Sequence, residues 1–273
     1  MESTSNSKST FISTSGVYKT PFSLIILIQL FFGGMVLFLA NIWFLNNIYY
    51  LLTGNQFYSL EPKGDWYIWL LVPLNIYAAL FLFTFSVVIF SAGIFKFLNW
   101  LSPPREGEFL RGTKEWKYMH RRFWTAYFPI WLARALPLPW IDIVVYRLFG
   151  MKVGKNVVLY EGYVDPLFVE IDDFTMTSLN ICIFSHLIYH DRIYIKKVKI
   201  GKACVVGPHT IVAPGTVMHD FAVLGVNSFT KIEQELKGNL IHVGTPVSIT
   251  LPIQSVEESQ KKADTIKKTK GDS

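Results

Sequence analysis

The chain has 273 residues, of which 51% are apolar, 16% aromatic and only 17% charged, with a formal net charge of +6. A soluble domain carries about a quarter charged residues, so this composition points to a membrane wherever the apolar residues cluster. A Walker motif, a dinucleotide fingerprint, a Cys-x-x-Cys pair and a Gly-x-Ser-x-Gly elbow are all absent from the sequence, which argues against the chemistries they carry. Cys182 and Cys204 stand at no metal-ligand or redox spacing and suit a reducing compartment.

Residues 1–20 are rich in Ser and Thr without apolar periodicity and read as a disordered tail. The apolar run that follows is too long, and too far from the start, to read as a cleaved signal. Phe22 to Leu45 and Trp66 to Phe95 contain no charged residue. Each is long enough to cross a hydrocarbon core of ~30 Å, so 21–100 is expected to form a transmembrane hairpin. Pro73 is expected to kink the second run, and Pro62 and Gly64 mark the turn in the polar connection from Gly54 to Asp65. The connection carries one basic residue, Lys63. Lys96, Arg105, Arg111, Lys114, Lys117, Arg121, Arg122 and Arg134 follow the second run, which places both termini in the cytoplasm by the positive-inside rule.

Residues 101–152 are expected to form amphipathic helices at the bilayer surface. Trp116, Tyr118, Phe123, Trp124, Tyr127, Phe128 and Trp131 alternate there with the basic residues, a mixture suited to lipid headgroups. Single-stranded nucleic acid would suit it too, but the segment directly follows a membrane span, so no nucleic-acid partner is expected. Pro129, Pro137 and Pro139 are expected to break this region into short helices. Trp140 to Phe149 reads as one more helix, ended by Gly150.

From residue 153 to 250 the period changes. Ile200, Val206, Val212, Met218 and Leu224 recur every six residues, and four places after each stands Cys204, Thr210, Thr216, Ala222 or Ser228. Val153, Leu159, Ile171, Thr177 and Ile183 continue the frame upstream. This hexapeptide pattern specifies a parallel β-helix, with three units per coil and both recurrent positions pointing inward. Gly201, Gly207 and Gly225 follow aliphatic positions and are expected at corners that a Cβ would resist. Breaks in register around 163–170 and 188–198 are where loops should leave the coil. The residues before the aliphatic positions, Val205, Ile211, Val217, Val223 and Phe229, reflect either β-propensity or outer faces covered by sister subunits or helices. Residues 251–273 form a polar, Lys-rich tail.

Phe184-Ser185-His186, then a loop, then Lys197-Val198-Lys199-Ile200-Gly201 resembles the active-site stretch of hexapeptide-repeat acyltransferases. His242-Val243-Gly244-Thr245-Pro246 resembles the closing motif of that family. The basic, Trp-rich helices leading into Arg147-Leu148-Phe149-Gly150-Met151-Lys152-Val153-Gly154 resemble the C-terminal membrane-bound β-helix modules of non-ribosomal peptide synthetases of the poly-lysine-synthetase type. The resemblance implies a membrane-anchored acyltransferase with a left-handed parallel β-helix, acting as a homotrimer. It implies an acyl-CoA, or another activated acyl or aminoacyl donor, as co-substrate, with no bound cofactor, and an amine or hydroxyl acceptor that is a small molecule or lipid-linked. His186 would be the general base, with Ser185 and Asn180 as polar neighbours and Asp165 or Asp191 orienting the imidazole. Gly207, Ala213 and Gly215 would leave room for a slender donor arm along the coil.

His186 and Asp191 also form the His-x4-Asp dyad of glycerolipid acyltransferases, but the repeat excludes that α/β fold. Zinc carbonic anhydrases share the β-helix, yet His186, His190, His209 and His219 do not match their spacing, so no metal is expected. A non-catalytic β-helical platform for a membrane complex is the remaining alternative.

Overall fold

The computed structural model describes residues 21–54 and 71–253. Residues 1–20, residues from 254 onward, most of the polar connection and the first residues of the second apolar run lie outside the described residues; Leu251 and Pro252, expected to open the polar tail, belong to a strand instead. The chain divides into two compact units, one formed by residues up to 132 together with 188–194, the other by 133–187 and residues from 195 onward.

In the first unit, α1 (Phe22–Trp43) continues through a π-helical segment (Phe44–Tyr49) into α2 (Tyr50–Thr53), which ends on left-handed Gly54. It packs along α3 (Leu71–Leu101), with Pro73 near the described start of that helix. Gly33 makes the close approach possible, since a Cβ there would lie 2.5 Å from Val87. Phe32 stacks on Phe90 at 4.1 Å. The remaining surface exposes Leu24, Leu27, Phe31, Phe38, Ile76 and Ile89. Both helices are long and apolar enough to cross a membrane.

Of the prolines in the next segment, Pro137 and Pro139 stand between two helices as expected, but Pro129 does not break its helix. α4 (Lys114–Arg134) runs through Pro129 without a break. Proline lacks the N–H that would bond the carbonyl four residues earlier, here Thr125. Gln29, fully buried in α1, supplies the missing donor: its Nε2 donates to the Thr125 carbonyl at 2.9 Å. At the start of α4, Thr113 Oγ1 accepts the Trp116 N–H, an N-cap that Glu115 reinforces in the first turn. Arg122 lies across the end of α3, donating to Asn99 Oδ1 at 2.7 Å and to the Ser102 carbonyl. Burial holds its guanidinium down at about 10, so it stays a cation at neutral pH, where a helix C-terminus favours one.

In the second unit, α5 (Ile141–Leu148) ends as expected at Gly150, whose φ is +93°. The chain then winds into a three-sided parallel solenoid. Three sheets form its faces, and strands three hexads apart lie side by side: Val153 with Ile171, Val206 with Leu224, Met218 with Leu236. The inward positions read from the sequence are buried, from Ile171 through Leu224. Each large aliphatic one contributes roughly 1.5–3 kcal/mol of burial. The small polar ones are satisfied internally: Thr210 Oγ1 donates to the Gly207 carbonyl and Thr216 bonds Thr230 at 2.7 Å.

The glycines after the aliphatic positions are not the corner residues. Their φ values are ordinary; what they permit is contact between coils. A Cβ on Gly201 would lie 2.5 Å from Asp220, and one on Gly225 2.4 Å from Val243. The left-handed corners fall two residues further on, at Asn156, Ala203, His209, Gly215, Phe221, Asn227 and Glu233.

The outer columns differ by face. One is charged: Lys152, Glu170 and Lys199 in register, with ion pairs from Glu170 to Lys152 and Lys197. The other two are apolar. Val158, Met176, Val205, Val223, Ile241 and Leu251 line one, and Tyr163, Cys182, Ile211 and Phe229 the other. An antiparallel hairpin, Leu240–Gly244 with Val247–Pro252, closes the described solenoid, and the Gly244-Thr245-Pro246 motif forms its turn.

Replacing Gln29 by Leu should destabilise the detergent-solubilised protein by about 1–3 kcal/mol, because the Thr125 carbonyl loses its donor. Adding Pro129→Ala restores a backbone N–H and should recover most of that loss. Thermal unfolding of the single and double variants checks the coupling. In the solenoid, Gly201→Val should cost more than about 2 kcal/mol, since the backbone of the next coil cannot yield to a branched side chain.

Candidate active site

The first break in the hexad frame proves to be a slip of one residue. Val158 lies beside Met176, three hexads on, but Val164 lies beside Ile183. Val164 and Ile183 are both buried and fill the inward slot. Asp165, which occupies the aliphatic position in the sequence frame, is thereby moved past the slot. Its N–H continues the ladder to the Ile183 carbonyl at 3.0 Å, and its carboxylate meets the residues that follow Ile183.

The carboxylate is 1% exposed and is surrounded by donors. Oδ2 accepts the Ser185 N–H at 2.7 Å, the Ser185 hydroxyl at 2.9 Å and His186 Nδ1 at 2.7 Å. Oδ1 accepts the Tyr163 hydroxyl at 2.5 Å. A buried carboxylate persists as an anion only when its oxygens are hydrogen-bonded in this way. An ionised carboxylate only accepts, so the proton of the neutral imidazole sits on Nδ1 and Nε2 is the basic nitrogen. The His186 side chain is 15% exposed.

The structure thus brings Asp165, Ser185 and His186 together. Ser185 spends both its N–H and its hydroxyl on the carboxylate, so it holds Asp165 and has no donor left over for an oxyanion. Asn180 is exposed, with φ of 55°, and serves as a left-handed corner. Tyr163 escaped the sequence reading. Its only signal there is a position two residues before Asp165, which on a strand places both side chains on one face.

Lys196 N–H donates to the Ser185 carbonyl at 2.9 Å, closing the base of the second break. From that base leaves a hairpin of strands His186–Tyr189 and Arg192–Ile195. Its tip, 188–194, belongs to the first unit. There Asp191 stands in the turn, with Oδ1 3.7 Å from Arg192 Nε and its carbonyl accepting the Arg111 N–H at 2.6 Å. Glu108, on β1 (Gly107–Leu110), accepts the Tyr189 hydroxyl at 2.6 Å and Arg192 at 2.7 Å. Hydrogen bonds from Tyr189 and then Arg192 hold the Glu108 carboxyl below its ordinary value.

Gly207 and Gly215 are buried against the next coil: a Cβ would lie 2.7 Å from the Leu224 carbonyl and 2.7 Å from Glu233 respectively. Ala213 is half-buried, and its N–H donates to Thr230. Among the described residues no set of three His, Cys, Asp or Glu side chains is placed to hold a metal ion. His190 and His209 hold left-handed turns, His219 pairs with Glu235 at 2.5 Å, and His242 bonds the Lys237 carbonyl. A cleft of ≈ 690 Å³ opens on the charged face beside Arg147, Lys152, Lys199 and Asp220, and it contains none of the residues around Asp165.

Because the folded carboxyl of Glu108 is more acidic than 4.5, its contribution to the hairpin is present above that pH and lost as pH falls through the folded value. Amide exchange of Arg111, corrected for intrinsic rate, should therefore accelerate in acid. The Glu108→Gln variant should lack this dependence.

No family model matches the chain. In sequence it is similar to a delta-poly-L-ornithine synthetase of Acinetobacter baumannii (strain AB307-0294), 26% identical over 141 residues, which are 51% of this chain and 10% of that protein. The chain therefore spans about a tenth of the length of the curated relative it matches. Among solved structures it is similar to a maltose O-acetyltransferase from Clostridium difficile 630, 17% identical, with a TM-score of 0.37 over 62% of this chain and 90% of that one. A galactoside acetyltransferase in complex with coenzyme A is 16% identical, with a TM-score of 0.42 over 56% and 88% of the two chains. A hexapeptide-repeat acetyltransferase from Vibrio cholerae is 12% identical, with a TM-score of 0.41 over 54% and 97%. The solved structures that this chain is similar to thus include hexapeptide-repeat acetyltransferases.

Proposed function

We propose that this chain is a membrane-anchored acyltransferase in which His186, oriented by Asp165, is the general base. The observation that carries the reading is the 2.7 Å bond from Nδ1 to a buried, multiply donated carboxylate at a slip in an otherwise regular solenoid. A carboxylate so placed selects the tautomer and stabilises the imidazolium that forms during reaction. Nε2 removes a proton from an acceptor hydroxyl or amine as that group attacks the donor carbonyl. The tetrahedral intermediate collapses with loss of the leaving thiolate, and the imidazolium returns its proton to that leaving group. Asp165 gains no proton in either step.

Acyl-CoA, or another activated acyl or aminoacyl group, is the donor in this reading. Of the three small residues, half-buried Ala213 is the one that a slender donor arm could pass; Gly207 and Gly215 are taken up by packing against the next coil. The anchor is the pair of apolar helices, with lipid on their exposed faces and the basic residues of α4 towards the cytoplasm. The acceptor is an amine or hydroxyl compound, small or lipid-linked. The solenoid is read as left-handed and as part of a homotrimer: Met176, Ile211 and Phe229 are 49%, 44% and 37% exposed, and apolar columns of that kind suit cover by sister copies, while the charged column suits water.

The purified protein, given labelled acyl-CoA and a membrane extract, should transfer the label. His186→Ala should lower the rate by about 10²-fold or more, with unchanged solenoid secondary structure by circular dichroism. Equal product from the two proteins would remove His186 from the mechanism, and no product from either would favour a platform without catalysis.

A further inference from the structure

We propose that Tyr163 is a positioning residue for the reaction, holding Asp165 so that one carboxylate oxygen is committed to His186. The inference rests on His186 being the base. Three of the four donors to Asp165 converge on Oδ2, and Oδ1 has the Tyr163 hydroxyl. A buried carboxylate with an undonated oxygen turns to share the donors it has. Turning would draw Oδ2 away from Nδ1. The tyrosine bond pins the carboxylate plane.

Tyr163 is itself held on three sides. Its strand pairs with Ile181–Ile183, Cys182 being its direct partner. Its ring lies 5.3 Å from that of Phe184. The preceding Gly162 has no Cβ, which would lie 2.4 Å from the Ile181 carbonyl, and its own carbonyl accepts from Arg134. Arg134 also donates to Tyr146 at 3.2 Å and lies 3.9 Å from Asp142. The titratable and charged groups facing Asp165 are thus His186, Tyr163 and Tyr146, with Arg134 and Asp142 behind Tyr146. Burial pushes the Tyr146 phenol up to about 12, so it stays neutral across any assay range.

Loss of the Tyr163 hydroxyl frees the carboxylate to turn, Oδ2 moves away from Nδ1, and the carboxylate then stabilises the imidazolium less. The test is Tyr163→Phe, which keeps the ring, in the full chain reconstituted in phospholipid nanodiscs. Histidine is labelled with ¹⁵N, and the His186 signal is assigned by its loss in His186→Ala. The His186 titration should move to lower pH by roughly half a unit or more. With labelled acetyl-CoA and a membrane extract, kcat should fall about tenfold with KM for acetyl-CoA unchanged, and the acid limb of kcat/KM should move with the titration. A Tyr163→Phe titration that overlays the wild type, or moves to higher pH, overturns the positioning role, whatever the activity. If His186→Ala retains wild-type turnover, the general-base reading fails instead, and the titration still reports whether Tyr163 acts on Asp165.

Discussion

A parallel solenoid with three hexads per coil brings side by side residues that are far apart in sequence, and the pairing holds even where a loop leaves the coil, as between Val169 and its partner Val198. Close contact between coils enforces the register. Gly201, Gly207 and Gly225 let neighbouring backbones meet where a Cβ would collide, and Ile200, Val206, Val212, Met218 and Leu224 stack inside. Within so strict a frame a slip of one residue has a defined effect. Val164 takes the inward slot and Asp165 is carried past it, onto Ser185 and His186. The irregularity that weakens the repeat as a repeat is the feature that assembles the site.

The same logic of supplying a missing partner recurs in the first unit. Pro129 removes a backbone donor from α4, and a buried Gln29 on α1 replaces it, so the helix continues where that proline suggested an end. A glutamine among Leu, Ile and Phe side chains would be costly in hydrocarbon unless it had such work. Arg122 provides donors in the opposite sense, to oxygens at the end of α3. These contacts tie the basic, aromatic segment to the apolar pair through hydrogen bonds as well as greasy packing.

Around Asp165 the electrostatics are arranged by geometry more than by net charge. Four donors neutralise a nearly inaccessible carboxylate without any Lys or Arg among them. The donors are a phenol, a hydroxyl, a backbone amide and the imidazole itself. Behind them Arg134 braces Gly162 and Tyr146.

Periodicity alone was enough to identify the apolar helices, the inward residues of each coil and the two places where the coil breaks, because each of those depends on local spacing and side-chain character. His186 was singled out differently, by the resemblance of Phe184-Ser185-His186 to an acyltransferase active-site stretch. Which carboxylate meets it depends on pairing across a coil: Asp165 and Asp191 are both near breaks, and only the register of Val164 with Ile183 distinguishes them. Tyr163 and the Gln29 bond to Thr125 were illegible for the same reason, since each joins groups whose proximity is created by packing. The true corners escaped too, because left-handed backbone is accepted by Asn, His, Ala, Phe and Glu here once neighbouring coils hold it in place. Local pattern decided what repeats; contact between coils and helices decided what meets.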